Sequence, residues 1–415
     1  MAFADPVARD TGATRRWLSI VGIGEDGVDG LTPAARRLIS AAEIVFGGQR
    51  HLALAAPLIR GAARPWPSPF DRAAEEVMAQ RGRQVCVLAS GDPYQYGVGS
   101  VLARHVDPAE TVVVPAPSAF SLAAARLGWP LPETAQVSLH GREIDRIRPH
   151  LQPGAKVLAL TSDGDGPAAL ARLLAETGFG ASRLTVLEAL GGPRERVRTA
   201  SGAVFDLDGV DPLNVVAIEV AAAPGARVLV RTAGLADALY EHDGQLTKRE
   251  VRAVTLSSLA PRRGELLWDI GAGAGSVAIE WMLADPSLTA IAIEARPDRA
   301  ARIRRNAAAF GVPRLEVIEG AAPAVLKDLP QPHAIFVGGG ASDAGVLDQT
   351  ITALPAGGRL VVNAVTLETE ALLIARHANL GGELIRLAIA RAEALGGTTG
   401  WRPALPVTQW TWVKP

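Results

Sequence analysis

A glycine-rich loop in the second half of the chain has the spacing of a nucleotide-binding turn. Gly271, Gly273 and Gly275 follow the apolar run Leu266–Ile270 and precede a helical pattern that begins at Val277. Glycine lets a backbone turn tightly and approach a ligand closely, because no Cβ stands in the way. The loop therefore predicts a cofactor cradle at the end of a strand.

Two carboxylates accompany this loop. Glu294 ends the next predicted strand about twenty residues after Gly275, where an acidic side chain can accept hydrogen bonds from both hydroxyls of a ribose. A dinucleotide loop has glycine at its first, third and sixth positions, whereas Ser276 stands at the sixth position here, so the spacing favours S-adenosylmethionine. Asp269 is expected near the amino acid portion of that cofactor or, alternatively, as a partner of the following helix N-terminus.

Polar loops rich in small residues follow four predicted strands in the first half. Ligands of open α/β sheets bind at the carboxyl ends of strands, so these loops predict one shared cleft, with ordinary surface turns as the alternative. A further loop, Gly22 to Gly27, follows the first strand and is longer than a dinucleotide turn needs. The four loops are residues 90–99, 115–120, 161–166 and 188–193.

Charged side chains near the predicted helix at Thr247 are candidates for substrate binding and proton transfer. Arg249, Arg252 and Arg391 could bind carboxylates through their guanidinium forks. His242 could donate a proton. The alternatives are a solvated charge or a helix-face ion pair for each arginine, and an ordinary loop position for His242.

Short apolar runs alternate with helical patterns along the chain, which is typical of α/β architecture with mostly parallel strands. A helix is predicted over residues 247–259, and a last strand over 407–413 is expected to close its sheet as a terminal hairpin partner. Residues 221–235 have the composition of a linker, which gives domains of residues 16–224 and 230–415. The other predicted strands are residues 17–21, 44–46, 85–88, 111–114, 157–160, 184–187, 215–219, 266–270, 290–294, 314–318, 334–337, 359–363 and 383–389.

Bulk composition limits the classes of function. A chain of 415 residues exceeds what one hydrophobic core usually serves. With 42 basic and 43 acidic residues and a net charge of -1, no electrostatic footprint for nucleic acid or an anionic membrane is present. The single cysteine, Cys86, is expected in a buried strand and excludes an internal disulfide or a cysteine-rich metal site, which fits a cytoplasmic protein. Residues 1–16 carry no continuous apolar stretch and are expected to be a frayed tail rather than a secretory signal.

Both halves resemble known families. The first half resembles the tetrapyrrole methylase family through Val-Gly-Ile-Gly at 21–24, Gly-Asp-Pro at 91–93 and Pro-Ser-Ala at 117–119. The second half resembles the decarboxylating corrin methyltransferase family through residues 244–252, 269–275, 337–340 and 363–369. Together the two resemblances cover nearly the whole chain.

The resemblances imply an N-terminal tetrapyrrole methylase fold, with two α/β subdomains around a cleft, and a C-terminal class I Rossmann-like methyltransferase domain. They imply one S-adenosylmethionine site in each domain and no metal. The implied substrate is a precorrin of the cobalamin (vitamin B12) pathway, methylated at carbon 5 by the first half and at carbon 15, with decarboxylation of an acetate, by the second. Homo-oligomers and transfer of intermediates to neighbouring pathway enzymes are further expectations, whereas nucleic acid and membrane partners are not expected.

Cofactor contacts are expected on both halves of the chain. They are Gly22, Gly24, Gly91, Asp92, Pro93, Tyr96, Ser118, Ala119, Thr161, Ser162, Ala189, Asn214, Thr247, Asp269, Gly271, Gly273, Gly275, Glu294, Gly320, Ala321, Ala322 and Gly338. Two other functions remain open at this point. A nicotinamide-dependent reductase would explain the glycine loop and Glu294 but not the loops of the first half. A single-site methyltransferase, with one half acting only as a tetrapyrrole-binding scaffold, is disfavoured by intact glycines in both halves.

Overall fold

The computed structural model describes residues 16–68 and 70–415, which form two compact units. Unit 1 comprises the described residues up to Arg142 together with Gln152–Arg227, and unit 2 comprises Glu143–Leu151 together with Val228–Pro415. The expectation for residues 1–16 lies outside the described residues, except at Arg16. The short segment Glu143–Leu151 thus belongs to unit 2, although the chain on both sides of it belongs to unit 1.

The first sheet of unit 1 is parallel throughout its described strands. Its elements are β1 (Leu18–Ile23), α1 (Pro33–Ala41), β2 (Ile44–Gly47), α2 (Gln49–Ala55), β3 (Ala62–Pro65), α3 (Ala73–Met78), β4 (Val85–Ser90), α4 (Gly99–Leu102) and β5 (Thr111–Val114). The strand order is β3-β2-β4-β1-β5, and β1 and β4 are almost wholly buried, as continuous apolar runs in parallel sheets usually are. Cys86 lies in β4, where burial raises the pKa of its thiol to about 12, so its predicted packing role is confirmed.

The second sheet of unit 1 corrects the expectation of mostly parallel strands. Its elements are α5 (Ala119–Leu127), β6 (Thr134–Ser138), β7 (Lys156–Leu160), α6 (Gly166–Glu176), β8 (Arg183–Glu188), β9 (Arg196–Ser201) and β10 (Asn214–Glu219). The strand order is β6-β7-β10-β8-β9, and only β6 and β7 are paired in parallel. The chain after β8 returns at once as β9, and such a short connection suffices only for antiparallel neighbours.

Unit 2 contains an open α/β sheet with a small separate hairpin. Its elements are α7 (Arg249–Leu259), β11 (Leu266–Ile270), α8 (Ser276–Ala284), β12 (Thr289–Glu294), α9 (Pro297–Ala309), β13 (Glu316–Glu319), β14 (Ala334–Val337), α10 (Val346–Ala353), β15 (Arg359–Ala364), α11 (Leu367–Leu380), β16 (Glu383–Leu387), β17 (Ala390–Leu395), β18 (Thr398–Pro403) and β19 (Val407–Val413). The strand order is β13-β12-β11-β14-β15-β19-β16, with β17 and β18 paired apart from it. The chain leaves β11 toward β12 and leaves β14 toward β15, so the connections diverge between β11 and β14, where such sheets bind ligands.

The last strand lies inside this sheet and not at its edge. β19 pairs antiparallel with β15 on one side and with β16 on the other. Trp410 is fully buried, and its ring stacks on that of Trp412 with 6.2 Å between centroids. The expectation of a terminal hairpin partner is therefore corrected: the chain passes through β17 and β18 before β19 pairs between β15 and β16.

Apolar side chains cover both faces of the unit 2 sheet. Trp281 and Phe310 belong to the core on one face, and Trp268 and Trp410 to the core on the other. No helix in the described ranges is long and apolar enough to cross a membrane. Short 3-10 helices span Phe70–Arg72, Pro108–Glu110, Leu131–Glu133, Ile144–His150, Asp237–Leu239 and Ala324–Leu326.

Candidate functional site

A cavity of about 480 Å³ opens in unit 1 where strands of both its sheets end. All four polar loops predicted to form a shared cleft contribute to its wall, together with the loop after β1. The predicted cofactor contacts that line it are Gly24, Gly91, Tyr96, Ser118, Ala119, Thr161 and Asn214. The predicted contacts that do not line it are Gly22, Asp92, Pro93, Ser162 and Ala189.

Close backbone contacts give the unit 1 cavity its shape. A Cβ on Gly22 would lie 1.9 Å from the Gly91 carbonyl oxygen and 2.6 Å from the Ala116 nitrogen. Gly91 itself has a φ of +54°, and a Cβ there would lie 2.7 Å from the Pro117 carbonyl oxygen. The loops after β1, β4 and β5 therefore meet only because these two positions are glycine.

The polar side chains on this wall are mostly engaged with their own loops. The Thr161 hydroxyl donates to Asn214 Oδ1 at 2.7 Å, and Asn214 Nδ2 donates to the Asp163 carbonyl at 2.9 Å. The Ser118 hydroxyl accepts from the Ser121 amide at 3.1 Å and caps α5. These bonds fix the loops. A ligand beside them can therefore bind main-chain groups, and hydroxyl oxygens that can still accept a hydrogen bond.

Unit 2 has a second cavity, of about 650 Å³, at the diverging connections of β11 and β14. A Cβ on Gly271 would lie 2.8 Å from the Gly339 carbonyl oxygen, so the loops after these two strands touch. Both cavity volumes lie in the range of small-molecule sites. The predicted contacts that line this cavity are Thr247, Gly271, Gly273, Glu294, Gly320, Ala321, Ala322 and Gly338. Asp269 and Gly275 do not line it.

Glu294 lies on the cavity wall at the end of β12. It is only 5% exposed, and its Oε2 accepts from the Gly273 amide at 2.9 Å while Oε1 accepts from the Arg296 amide at 3.1 Å. A carboxylate has about four acceptor sites, so it can accept two further hydrogen bonds from a ligand. A cradle of positive-φ glycines beside a buried carboxylate fits the ribose of S-adenosylmethionine.

Asn306 on α9 holds this cradle together, and sequence reasoning missed it. Its Nδ2 donates to the carbonyls of Ala274 at 2.9 Å and Glu241 at 3.0 Å, and its Oδ1 accepts from the Glu241 amide at 2.9 Å. These bonds bring the chain before α7 over the glycine loop, where the Gln245 carbonyl would lie 3.1 Å from a Cβ on Gly273. An asparagine inside a helix of alanines and arginines was the only available sequence signal.

Asp269 lies beneath the glycine loop and not on the cavity wall. It is 1% exposed, and its Oδ2 accepts from the Ala278 amide at 3.0 Å in the first turn of α8. Burial raises the pKa of Asp269 to about 7, the Ala278 hydrogen bond opposes that rise, and the charge of Glu294 adds to it. The arrangement corresponds to the alternative expectation, in which Asp269 is a partner of the helix N-terminus.

Arg252 is a correction to the predicted set of substrate-binding residues. It is fully buried, its Nε donates to Glu280 Oε1 at 2.6 Å, and its other nitrogens donate to Asp237 and to main-chain carbonyls, among them that of Thr247 at 2.5 Å. The guanidinium carbon also lies 4.8 Å from the centre of the Tyr240 ring. Because its donors are used inside the core, Arg252 cannot bind a carboxylate of the substrate. It is also neither the solvated charge nor the helix-face ion pair that the sequence offered as alternatives.

The other charged candidates lie in different places. His242 is exposed and accepts a hydrogen bond from the Gly244 amide at 3.1 Å on its Nδ1, and neither it nor Arg249 lines the cavity. Arg391 does line the cavity and pairs with Glu250. Two further cations that the sequence did not single out, Lys248 and Arg299, share that wall with Arg391. In the part of the chain that the structure describes, no group of three or more His, Cys, Asp or Glu side chains is arranged to hold a metal ion.

Two family models match successive parts of the chain. Residues 18–204 match the model of tetrapyrrole (corrin/porphyrin) methylases, and residues 238–414 match that of the precorrin methyltransferase domain. The first match covers loops of the unit 1 cavity up to the end of β9, and the second covers the whole glycine cradle of unit 2.

Relatives match the chain either whole or in part. A precorrin-6Y C(5,15)-methyltransferase (decarboxylating) from Sinorhizobium sp. is 63% identical over 398 residues, 96% of each chain. A probable cobalt-precorrin-6B C(15)-methyltransferase (decarboxylating) from Pyrobaculum aerophilum is 36% identical over 39% of this chain and 85% of its own. A cobalt-precorrin-7 C(5)-methyltransferase from Salmonella typhimurium is 30% identical over 46% of this chain and 96% of its own. These matches disfavour the reductase and the scaffold alternatives, and the chain belongs to the family of decarboxylating precorrin-6Y C(5,15)-methyltransferases.

Proposed function

We propose that each unit transfers a methyl group from its own S-adenosylmethionine to the same precorrin. The first domain, residues 16–224, methylates carbon 5, and the second, residues 230–415, methylates carbon 15 and decarboxylates the acetate on carbon 12. Precorrin-6Y, in its reduced 6B form, would thereby become precorrin-8 in cobalamin biosynthesis. The observation that carries the proposal is the presence of two separate cavities, each built at strand ends by loops that glycine alone permits to meet.

The half-length relatives support the division of labour. One named for carbon 15 and decarboxylation and one named for carbon 5 each match less than half of this chain but most of their own length. Each activity is thus named for a protein of about the size of one unit.

The chain's own residues bind and orient. In unit 2, Glu294 accepts from the ribose hydroxyls, and Gly271 and Gly273 let main-chain amides approach the cofactor. In unit 1, main-chain groups around Gly91 and Ser118 bind the cofactor. When bound, S-adenosylmethionine supplies a sulfonium methyl group that is already a strong electrophile.

Positioning is the main catalytic task of both cavities. A meso carbon of a reduced tetrapyrrole is an enamine-like nucleophile, so methyl transfer needs little help from an acid or a metal. Holding the reacting atoms in a near-attack geometry lowers a barrier by about 7–11 kcal/mol in well-oriented models. The rigid loops of both cavities are suited to that role.

Decarboxylation needs an electron acceptor beside the acetate, and the conjugated macrocycle supplies it. The unit 2 wall carries three cations, Lys248, Arg299 and Arg391, which can bind the other acetates and propionates of the substrate. Anchoring those groups leaves the reacting carboxylate less well solvated, which favours loss of carbon dioxide.

Mass spectrometry of the full chain incubated with reduced precorrin-6Y and S-adenosylmethionine tests the proposal. The expected product has gained two methyl groups and lost one carbon dioxide. At a low S-adenosylmethionine concentration, a Glu294→Gln variant should give mainly a product with one added methyl and the acetate carboxylate retained. A Gly22→Ala variant should give a product that has gained one methyl and lost the carboxylate. A single methyl from the unaltered chain would favour the scaffold alternative, and no change in mass would refute the substrate assignment.

A further inference from the structure

Four side chains on the wall of the unit 1 cavity form a connected cluster that is separate from the predicted set of cofactor contacts. We name Glu25, Arg50, His51 and Ser90 the His51 cluster, and all four line the cavity. Arg50 lies in α2, just after the end of β2, and its Nη1 pairs with Glu25. Its Nη2 lies 2.8 Å from His51 Nε2 and 2.9 Å from Ser90 Oγ. His51 Nε2 is also 2.8 Å from Ser90 Oγ.

The directions of these hydrogen bonds follow from the donors. A guanidinium only donates, so both His51 Nε2 and Ser90 Oγ accept from Arg50. The ring proton is then on Nδ1, which is buried beside Gly48 and has no hydrogen-bond partner among the described residues. The Ser90 hydroxyl also lies 2.8 Å from Nε2 and shares the single lone pair of that nitrogen with Arg50, so a serine hydroxyl exposed to the cavity is in contact with a neutral imidazole.

The surroundings keep this imidazole uncharged. Burial, and after it the positive charge of Arg50, lowers the pKa of His51 to about 4. Glu25, which is also paired with Arg194, balances the charge of Arg50. At neutral pH the cluster therefore contains an uncharged imidazole whose Nε2 is hydrogen-bonded to Arg50 and lies beside the Ser90 hydroxyl on the cavity wall.

Methylation of a meso carbon that carries hydrogen requires such an acceptor. When the new carbon–carbon bond forms and the carbon–sulfur bond breaks, the carbon holds both a methyl group and its hydrogen, and the adjacent nitrogen becomes an iminium. Conjugation returns when that hydrogen leaves as a proton. A carbon acid beside an iminium is strong enough that even a weak base removes its proton.

Resting on the proposed methylation by unit 1, we propose that Ser90 and His51 form the exit for this proton. The carbon–hydrogen bond breaks, its electron pair restores the conjugated double bond, and the proton passes to Ser90 Oγ. The Ser90 hydroxyl proton moves to His51 Nε2, which gives an imidazolium. Arg50 then gives up its hydrogen bond to Nε2 and keeps its pairing with Glu25, which also stabilises the new positive charge.

Two variants with a deuterated substrate test the relay in the full-length chain. Ser90→Ala removes the hydroxyl, and His51→Gln replaces the imidazole by a side chain that cannot take the proton. His105→Gln, at an exposed histidine of unit 1, is the matched control. Each protein is given reduced precorrin-6Y carrying either hydrogen or deuterium at carbon 5, and mass spectrometry follows methyl gain and deuterium loss.

We expect both variants to slow loss of the carbon 5 hydrogen from the methylated intermediate by about 100-fold, since general-base assistance is typically of that order or more. Deuterium should slow the variants more than it slows the unaltered chain, because proton removal becomes limiting. Titration with S-adenosylmethionine should give unchanged stoichiometry and affinity, and methylation at carbon 15 with loss of carbon dioxide should proceed normally.

Three results would overturn the relay. The first is a variant rate within about threefold of the unaltered chain. The second is a slow rate with the deuterium effect of the unaltered chain, which is what a purely structural role of the cluster predicts. The third is a Ser90→Ala variant with the rate and the deuterium effect of the unaltered chain. That result overturns the relay even if His51→Gln misfolds and loses cofactor binding. Failure of the proposed function looks different: the unaltered chain and the His105→Gln control would then add no methyl at carbon 5.

Discussion

The two cavities are shaped by the same means but differ in charge. In unit 2 a buried carboxylate, Glu294, lies on the wall together with three cations. In unit 1 the predicted cofactor contacts are glycines, hydroxyls, an amide and a phenol, and the carboxylate of Glu25 is already paired with Arg50. If both cavities hold S-adenosylmethionine as proposed, unit 2 would recognise it through a strand-end charge and unit 1 through main-chain groups from its two sheets.

The largest effect is expected where unit 1 depends on the absence of a side chain. Gly22→Ala places a Cβ 1.9 Å from the Gly91 carbonyl oxygen, so the loops must separate and methylation at carbon 5 should fall below detection. Methylation at carbon 15 should persist, as mass spectrometry can show. Gly82→Ala is the control, because a Cβ on Gly82 would have no heavy atom within 4 Å. Normal methylation at carbon 5 in Gly22→Ala would contradict the role given to these loops.

Removing the charge of Glu294 should weaken cofactor binding in unit 2 and leave unit 1 unchanged. Glu294→Gln loses charge-assisted hydrogen bonds worth about 2 kcal/mol, which weakens cofactor binding in unit 2 roughly 30-fold. Calorimetric titration should change from two tight sites to one. Glu316→Gln, at an exposed position on β13, is expected to leave both sites intact. Two unchanged sites in the Glu294 variant would refute the ribose contact.

The buried Asp269 should make the stability of unit 2 depend on pH in a way that unit 1 does not. Its folded pKa of about 7 lies above the ordinary value of 3.8, so its contribution to stability is complete below about pH 4 and is lost as pH rises through 7. Asp269→Asn should therefore gain stability relative to the unaltered chain across this range, with a melting temperature higher by roughly several degrees at pH 8. The exposed Asp328→Asn serves as the control, and a difference that is constant with pH would contradict the assignment.

The smallest effect is expected at the rim of unit 2. Arg391 is about half exposed and already forms an ion pair with Glu250. Arg391→Gln should therefore raise the KM for the precorrin only about threefold and leave kcat unchanged. Arg402→Gln, on the same hairpin but off the cavity wall, should leave the KM unaltered. An equal change in both variants would mean that the hairpin, and not the Arg391 charge, sets the affinity.

The sequence predicted best what depends on neighbouring residues. Short segments rich in apolar residues beside glycine or proline predicted strands with the observed bounds at Thr111–Val114, Leu266–Ile270, Ala334–Val337 and Val407–Val413. The glycine loop and Glu294 were also found from spacing alone, since both lie at the ends of such strands. Strands without an apolar run were missed: Ala62–Pro65, Thr134–Ser138, Arg196–Ser201, Ala390–Leu395 and Thr398–Pro403.

What the sequence could not give depends on partners far along the chain. The sequence suggests Arg252 as a substrate-binding residue, because its partner Glu280 lies on the next helix and nothing in the spacing joins the two. Asn306 binds main-chain groups of two separate loops, so no local pattern announces it. The connection of His51 to Ser90 likewise arises only when β2 and β4 are paired.

The interior position of β19 affects the order in which the two units can fold during translation. During translation β15 and β16 emerge first, yet neither completes its pairing until Val407–Val413 has left the ribosome and entered between them. Both sheets of unit 1 are complete at Glu219, so that unit can fold on the nascent chain while unit 2 still presents open strand edges. Such edges pair readily with other chains, so a ribosome that stalls before Val407 would release a product prone to aggregation.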